Sequence, residues 1–240
     1  MSSKKNYRAL LIDLDGTLLE LDIQKFINAY IDALSDKFKA HIDKNDFANH
    51  LFGATSVMVK NGNPDKSNEE VFYEDFCRRT RLNEEIIRTV VEDFYLNDFP
   101  GLSCWGRKHP HASAVIKAAK ARNLTLVLAT NPIFPAAAIL ERLSWSGFSE
   151  NDFAFITTME NMHFCKPRKE YYAEIADQIN LAPEECLMAG NDTLEDLVAV
   201  KAGMDTYLVD DFILQRDEKD PVCNYRGSLK ELADFLDIKG

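Results

Sequence analysis

The sequence has no apolar run long enough to cross a membrane. Its apolar stretches fall well short of the ~20 residues that a membrane-spanning helix requires. The stretch behind the basic N-terminal segment Met-Ser-Ser-Lys-Lys is short and is broken by Asp13, whereas a signal peptide needs an unbroken apolar region there. We therefore expect no membrane span and no signal peptide.

Cysteine is scarce and its spacing is irregular. The five cysteines are Cys77, Cys104, Cys165, Cys186 and Cys223, and no two of them form a Cys-x-x-Cys pair. A disulfide framework usually shows an even number of cysteines in a compact pattern. A protein of the reducing cytoplasm fits this usage best.

Basic residues are also few relative to acidic ones. The 240 residues include 28 Lys and Arg against 39 Asp and Glu, a net charge of −11. Proteins that bind nucleic acid or anionic membranes need a basic face, so we expect neither partner. A small phosphorylated ligand stays compatible with this charge, because one cation and one lysine can reverse the local field. The composition does not define the oligomeric state, for which we favour a monomer.

Between residues 21 and 99 the apolar residues repeat at helical spacing. The repeat predicts four consecutive helices, over about 23–38, 44–59, 67–79 and 83–94. Asp22 and Asn83 are suitable N-caps, and Ser67 with Glu70 can form a capping box. Consecutive helices with short connections are typical of a helical bundle.

Outside this segment, helices alternate with short apolar strands. Strands are predicted over 8–14, 124–129, 153–156, 186–189 and 206–209, and helices over 111–122, 135–145, 168–179, 193–202 and from Ser228, which can form a capping box with Glu231. Such strands form a parallel sheet covered on both faces. The sequence therefore predicts an α/β fold: a Rossmann-like three-layer core, from residues 1–20 and 100–240, with an α-helical bundle inserted at 21–99.

The first strand runs directly into two carboxylates, in the segment Asp13-Leu14-Asp15-Gly16-Thr17. Alternate residues of an extended chain share a side, so both carboxylates can leave the strand in the same direction. Two anions this close repel unless a cation or a shared proton intervenes. An acidic turn without a function is the alternative, because Asp and Gly are ordinary turn residues.

Other polar residues follow the later strands. Thr130 ends the second strand, Lys166-Pro167 comes after the third, and Gly190-Asn191-Asp192 with Asp196 comes after the fourth. Each residue alone has a structural explanation, such as a strand end, a surface lysine or a helix N-terminus. Parallel sheets bind ligands at the carboxyl ends of their strands. The order of these residues therefore predicts one catalytic site at that edge.

This ordered set of motifs resembles the haloacid dehalogenase superfamily. The resemblance rests on Asp13-x-Asp15-Gly16-Thr17, on Thr130, on Lys166-Pro167 and on Asp192-x-x-x-Asp196, and it covers nearly all of the chain. The chain looks most like the phosphatase branch with a helical C1-type cap. That resemblance implies a Mg²⁺-dependent phosphatase that acts on a small phosphorylated metabolite.

The resemblance also implies roles for the acidic residues. Asp13 would attack phosphorus and form an aspartyl-phosphate. Asp15 would protonate the leaving oxygen and then activate water. Asp13, the carbonyl oxygen of Asp15 and Asp192 would bind Mg²⁺, a hard cation that prefers oxygen ligands.

The remaining motif residues would bind the phosphoryl group. Thr130 would hydrogen-bond its oxygens, as would the backbone amides near Leu14, Gly16 and Asn131. Lys166 would neutralise both the nucleophile and the phosphate as a compact charge. Asp196 would orient Lys166, or a water molecule on the metal, without touching the metal itself.

Two alternatives and two departures from the family pattern stay open. A phosphomutase acting on a sugar phosphate would use the same residues, and a non-catalytic ligand-binding protein could retain the fold. Glu20 stands where many capped relatives have aspartate, and Asn191 lies between Gly190 and Asp192, which leaves the geometry of that loop undefined. The polar loop at Lys60, Asn61 and Asn63 either enters the pocket from the cap or simply connects two helices.

Overall fold

Strands and helices alternate along the chain in this computed structural model, which describes residues 5–215 and 221–237. The strands are β1 (Ala9–Ile12), β2 (Leu19–Leu21), β3 (Gly106–Lys108), β4 (Thr125–Leu128), β5 (Phe155–Ile156), β6 (Cys186–Gly190), β7 (Asp205–Val209) and β8 (Tyr225–Gly227). The helices are α1 (Ile23–Phe38), α2 (Lys44–Lys60), α3 (Asn68–Thr80), α4 (Glu84–Asn97), α5 (Ala112–Ala121), α6 (Ala136–Trp145), α7 (Lys169–Gln178) and α8 (Leu229–Asp237).

Six strands of the described chain form one parallel sheet, in the order β5-β4-β1-β6-β7-β8. The first strand, β1, therefore lies at the centre, between β4 and β6. Its side chains alternate between the two faces: Leu10 and Ile12 join one buried cluster, and Ala9 and Leu11 join the other. Helices α5 and α8 contribute to the first cluster and α7 to the second. The predicted α/β fold with three layers is confirmed.

The helices α1 to α4 form the predicted bundle. Asp22 accepts a hydrogen bond from the amide of Lys25, and Asn83 accepts one from that of Glu85. Ser67 and Glu70 form the complete capping box. The bundle interior is aromatic, as shown by the stacked rings of Phe38 and Phe47 with centroids 5.2 Å apart. Across the described ranges, no helix has both the length and the apolar character needed to cross a bilayer.

Three features differ from the prediction or were missed by it. The strands β2 and β3 form a separate antiparallel pair where the chain enters and leaves the bundle. The sixth sheet strand, β8, was not predicted. The helix predicted over 193–202 is a shorter 3₁₀ segment, Leu197–Ala202, because the residues before it form the turn that contains Asp192.

The second capping box is confirmed, since Ser228 and Glu231 exchange hydrogen bonds at the start of α8.

Candidate active site

Asp13 and Asp15 leave β1 at the carboxyl edge of the sheet and line one pocket. The amide of Asp13 donates to the carbonyl oxygen of Ala189 at 2.9 Å, which extends the pairing of β1 with β6. Gly16 follows with a φ of +83°, and a Cβ there would lie 2.2 Å from the Asn191 side chain. The turn therefore requires glycine both for its backbone conformation and for the close approach of Asn191.

Lys166 lies beneath this pocket and is almost fully buried. Its Nζ donates to Asp13 Oδ1 at 2.9 Å and to Asp196 Oδ1 at 2.5 Å. A buried ammonium needs charged partners to offset its lost hydration, and these carboxylates provide them. Lys166 thus brings together Asp13 and Asp196, which belong to motifs far apart in sequence, as the strand-end pattern predicts.

Burial and charge act in opposite directions on the pKa values of this cluster. Burial raises the pKa of Asp13 to about 8, and Lys166 opposes that rise. Burial alone would lower the pKa of Lys166, but Asp13 and Asp196 raise it well above its usual value. The two shifts conflict, because the first favours a neutral Asp13 and the second requires charged carboxylates. The short contacts from Lys166 to both carboxylates favour the charged cluster.

The loop after β6 is built on Asp192 and Asp196. Asp196 Oδ2 accepts a hydrogen bond from the amide of Asp192 at 2.9 Å. Asp192 Oδ1 accepts from the amides of Leu194 and Glu195 at 2.9 and 3.0 Å. Asp196 therefore links Lys166 to the loop that brings Asp192 into the pocket.

Asn191, which departs from the family pattern, has a structural role in this loop. It is buried, and its Nδ2 donates to the carbonyl oxygen of Phe212 at 2.7 Å. Thr17 Oγ1 donates to Asn191 Oδ1 at 3.4 Å. Asn191 thus ties the loop to the segment after β7 and to the turn after β1, and both Asn191 and Asp192 line the pocket.

Thr130 and Asn131 line the same pocket at the end of β4. The carbonyl oxygen of Thr130 accepts hydrogen bonds from Thr157 Oγ1 at 2.7 Å and Tyr171 OH at 2.8 Å, which fix the backbone there. Asn131 Nδ2 donates to Glu195 Oε2 at 3.0 Å. The Leu14 side chain is in the core, so Leu14 can meet a substrate only through its backbone.

Arg142 is a pocket residue that sequence reasoning missed. It lies on α6, is 1% exposed, and its Nη1 forms an ion pair with Asp15 Oδ2. Its guanidinium carbon lies 4.5 Å from the ring centroid of Phe134. Asp15 Oδ1 and Arg142 Nη2 are both buried without a hydrogen-bond partner. The available sequence signal was a charged residue on the apolar face of α6, beside Ile139 and Leu143.

The pocket is strongly acidic. Its lining includes five carboxylates, from Asp13, Asp15, Asp192, Glu195 and Asp196. Arg142 lines it as well, and Lys166 contacts it through Asp13. The sequence did not single out Glu195. This excess of buried negative charge suits a cation with oxygen ligands, so the donors present fit the Mg²⁺ set of Asp13, the Asp15 carbonyl oxygen and Asp192. Among the described residues, no group of three or more His, Cys, Asp or Glu side chains is arranged to bind a metal. The proposed Mg²⁺ ligands include only two such side chains, Asp13 and Asp192, and the third ligand is a backbone carbonyl oxygen.

The bundle meets the pocket through α1 rather than through the polar loop. Ile23 and Ile27 are among the lining residues, whereas Lys60, Asn61 and Asn63 are not. Asn61 Nδ2 instead donates to the carbonyl oxygens of Asn63 and His163, at 3.1 and 3.5 Å. The interpretation of this loop as a helix connection is therefore the better one.

The central β1, its paired aspartates and the lysine beside them define an α/β enzyme with its site at the carboxyl edge of a parallel sheet. A sequence model of the haloacid dehalogenase-like hydrolases matches residues 7–203. The chain belongs to this family of hydrolases. Among curated proteins, none matches the sequence significantly.

Solved structures share this fold at low sequence identity. The HAD phosphatase from Thermococcus onnurineus is 18% identical, with a TM-score of 0.60 over 95% of this chain and 97% of that one. The magnesium-bound HAD-hydrolase YfnB from Bacillus subtilis is 22% identical, with a TM-score of 0.59 over 98% and 100%. The L-2-haloacid dehalogenase from Xanthobacter autotrophicus is 11% identical, with a TM-score of 0.58 over 98% and 100%. These similarities concern the fold alone.

Proposed function

We propose that the protein is a Mg²⁺-dependent phosphatase that hydrolyses a small phosphorylated metabolite through an aspartyl-phosphate. The observation that carries the proposal is the joint presence of Asp13 and Asp15 in one pocket, with Lys166 on Asp13. A halide leaves carbon without a proton, so a dehalogenase has no need of Asp15. A phosphomonoester releases an alkoxide, which does need a proton donor.

In the first step a carboxylate oxygen of Asp13 attacks phosphorus. The bond between phosphorus and the ester oxygen breaks, and Asp15 transfers its proton to that oxygen to release an alcohol. Lys166 balances the negative charge of Asp13 and of the phosphoryl group. Thr130 and the amides of Leu14 and Asn131 hold the phosphoryl oxygens. The Gly16 amide does not take the predicted part in this, because it donates to the carbonyl oxygen of Leu19 at 2.7 Å.

In the second step water attacks the phosphorus of the aspartyl-phosphate. Asp15, now ionised, takes a proton from this water, and the bond between phosphorus and the Asp13 oxygen breaks. Free phosphate leaves and both aspartates return to their initial states. Arg142 keeps Asp15 beside the pocket, and we propose that it positions this carboxylate for both proton transfers.

Asp13, the carbonyl oxygen of Asp15 and Asp192 would hold Mg²⁺, and Asp196 would support the Asp192 loop. When bound, Mg²⁺ supplies positive charge that offsets the carboxylates and the phosphoryl group. The fit of the acidic pocket to a hard cation supports this assignment.

We propose that the segment 21–99 acts as a cap that closes over the site and excludes water. The position of Ile23 and Ile27 in the pocket wall supports this role. The described chain has five free cysteines, which supports a reducing, cytoplasmic setting. The proposed partner is a small phosphorylated substrate, and the proposed state is a monomer.

Phosphate release from p-nitrophenyl phosphate with Mg²⁺ tests the proposal. We expect turnover by the wild-type protein and none by Asp13→Asn, because the amide is not a nucleophile. Asp32→Asn, on the exposed face of α1, is a matched control that should keep full activity.

Turnover that survives in Asp13→Asn would refute the aspartyl-phosphate mechanism. Halide release from 2-chloropropionate without phosphatase activity would assign the protein to the dehalogenases instead. Sugar phosphates that isomerise without releasing phosphate would identify a phosphomutase.

A further inference from the structure

An apolar crevice runs between the bundle helices and the core, beside the catalytic pocket. Its cavity volume is about 90 Å³, smaller than the ~300 Å³ of ordinary small-molecule sites but several times the space that one water molecule needs. Its aromatic lining comes from Tyr30, Phe38, Phe47, Phe72, Phe76 and Tyr95. Protein interiors are otherwise closely packed, so an open crevice among these rings is unusual.

The crevice adjoins the catalytic pocket. Ile27, Ile133 and Phe134 line both spaces. Phe134 packs against Arg142 on one side, with 4.5 Å from its ring centroid to the guanidinium carbon. It contacts the Tyr30 ring on the other side, with centroids 5.4 Å apart. Phe134 therefore lies between the two spaces, and a molecule with its phosphoryl group near Asp13 would reach the crevice by passing this ring.

The two spaces differ sharply in chemistry. No residue that lines the crevice is charged, and three of its four hydroxyls have partners: Tyr30 and Tyr95 bond each other at 2.9 Å, and Thr55 donates to Leu51 O at 2.9 Å. The fourth, Tyr73 OH, has no hydrogen-bond partner among the described residues. The catalytic pocket holds buried polar atoms that have no partner, on Asp15, Asn131 and Arg142. A polar ligand group would lose hydration in the crevice and find only the Tyr73 hydroxyl as an unpaired partner, whereas an apolar group would gain by burial.

From these observations we infer that the crevice binds the leaving group of the substrate, and that this group is an apolar alkyl or aryl chain. The inference rests on the proposed function, because the phosphoryl end is taken to bind at Asp13. It narrows the substrates to amphipathic phosphomonoesters. Small phosphates whose other end is charged or rich in hydroxyls do not match this lining.

Calorimetry with a series of n-alkylphosphonates, from methyl to octyl, tests the inference in the presence of Mg²⁺. Phosphonates are not hydrolysed, so binding is measured apart from turnover. We expect the Kd to fall about three- to fourfold with each added methylene until the crevice is filled. Affinity that does not change with chain length, or no binding at any length, would overturn the inference.

A matched pair of substitutions tests whether the alkyl chain of the phosphonate lies in the crevice. Thr55→Trp places an indole in the crevice and should remove the gain from longer chains, while methylphosphonate affinity stays unchanged. Val57→Trp lies on the same helix at an exposed position outside the lining and should keep the full length dependence. If both variants are folded by far-UV circular dichroism and show the same dependence of affinity on chain length, the alkyl chain binds elsewhere and the inference is overturned.

The outcomes separate this inference from the proposed function. Length-dependent binding without phosphate release from any ester would refute the phosphatase and keep the crevice assignment. Phosphate release together with a phosphonate affinity that does not change with chain length would support the phosphatase and overturn the crevice assignment. A dimer that dissociates in Thr55→Trp, again with constant affinity, would assign the crevice to a second copy of the chain and overturn the inference.

Discussion

Arg142 restrains the second aspartate of the Asp-x-Asp motif from inside the protein. Its guanidinium is nearly fully buried, pairs with Asp15 and packs against the Phe134 ring. Its Nη1 donates to Asp15 Oδ2 and leaves Oδ1 free to carry the proton, so this contact holds the side chain in both of its proposed protonation states. The position of Asp15, on which both proposed proton transfers depend, is therefore set by a helix that follows Thr130.

Replacing Arg142 should separate the two steps of the proposed reaction. With p-nitrophenyl phosphate, Arg142→Met is expected to keep a burst of one nitrophenolate per enzyme, because this leaving group departs without a proton. The steady-state rate should fall about 10–100-fold, since release of phosphate needs a well-placed Asp15. Stopped-flow absorbance measures both phases.

The control for this experiment is Arg226→Met, which removes an exposed arginine paired with Asp210. It should change neither phase. Loss of the burst in Arg142→Met would contradict the positioning role and would show that Arg142 acts on Asp13 or on substrate binding.

Gly190 lies directly against Asp196, one of the two carboxylates that contact Lys166. A Cβ on Gly190 would lie 2.2 Å from Asp196 Oδ2, the oxygen that accepts from the amide of Asp192. Gly190→Ala should therefore displace Asp196 from Lys166 and lower kcat by about 10–100-fold, as measured by steady-state phosphate release. Gly101→Ala, where a Cβ would meet no atom within 4 Å, should retain activity, and equal losses in the two variants would contradict this role.

The predicted site residues come together because strand ends share one edge of the sheet. Asp13, Thr130 and Asp192 could be located from local sequence, since each directly follows an apolar strand. Arg142 could not, because a helical residue reaches the pocket only through the rotation and packing of its helix. Glu195 could not either, because it lies in the turn before the 3₁₀ segment Leu197–Ala202. Their positions depend on tertiary contacts that no local pattern contains.

At the scale of elements, the helices of the bundle were predictable and the shortest strands were not. The bundle helices carry apolar stripes, weaker in α2 than in the others, and three of them have a recognisable cap, so local sequence indicates their positions. The strands β2 and β3 have only three residues each and pair across the whole bundle. Pairing over such a distance leaves no local signal, and the same is true of the edge strand β8.

Within the bundle, α3 carries a buried carboxylate whose stabilising effect should depend on pH. Burial would raise the pKa of Asp75, but hydrogen bonds from Arg79 and Arg78 outweigh this and lower it. The folded pKa lies below the unfolded value of ~3.9. The stabilisation is therefore present above about pH 4 and is lost as the pH falls through the folded pKa.

Asp75→Asn should lower the free energy of unfolding by about 1 kcal/mol near neutral pH, a value limited by the solvent exposure of the two arginines. Below about pH 4 the difference from the wild type should shrink. Urea unfolding across this pH range measures both effects. Asp36→Asn, which affects only an exposed ion pair with Lys44, is the control, and a pH-independent loss in Asp75→Asn would contradict the ionic explanation.

At the scale of the whole molecule, the site joins segments that lie far apart in sequence. The pocket lining combines β1, α1, the end of β4, α6 and the loop after β6. The alternation of strands and helices was enough to predict a parallel sheet with an inserted bundle. It did not predict the sheet order or how the bundle meets the core, because both depend on contacts between distant segments.

A ligand that binds only this assembled site should stabilise the entire fold. At a free concentration one hundred times its Kd, Mg²⁺ is expected to add about 2.7 kcal/mol, which corresponds to a rise of about 5–10 °C in Tm. Differential scanning calorimetry with Mg²⁺ and with EDTA measures the shift. Asp192→Asn should abolish it, and an unchanged shift in that variant would exclude Asp192 as a ligand.

The pairing of β2 with β3 brings Glu20 directly opposite Arg107, so the two ends of the bundle segment lie side by side. A turn of a few residues could join them without disturbing the six-stranded sheet. The bundle segment is thus an insertion that leaves and rejoins the core at a two-stranded stem. Under the cap role proposed above, exchanging this insertion is expected to change which molecules reach the site while the strands that carry the paired aspartates stay in place.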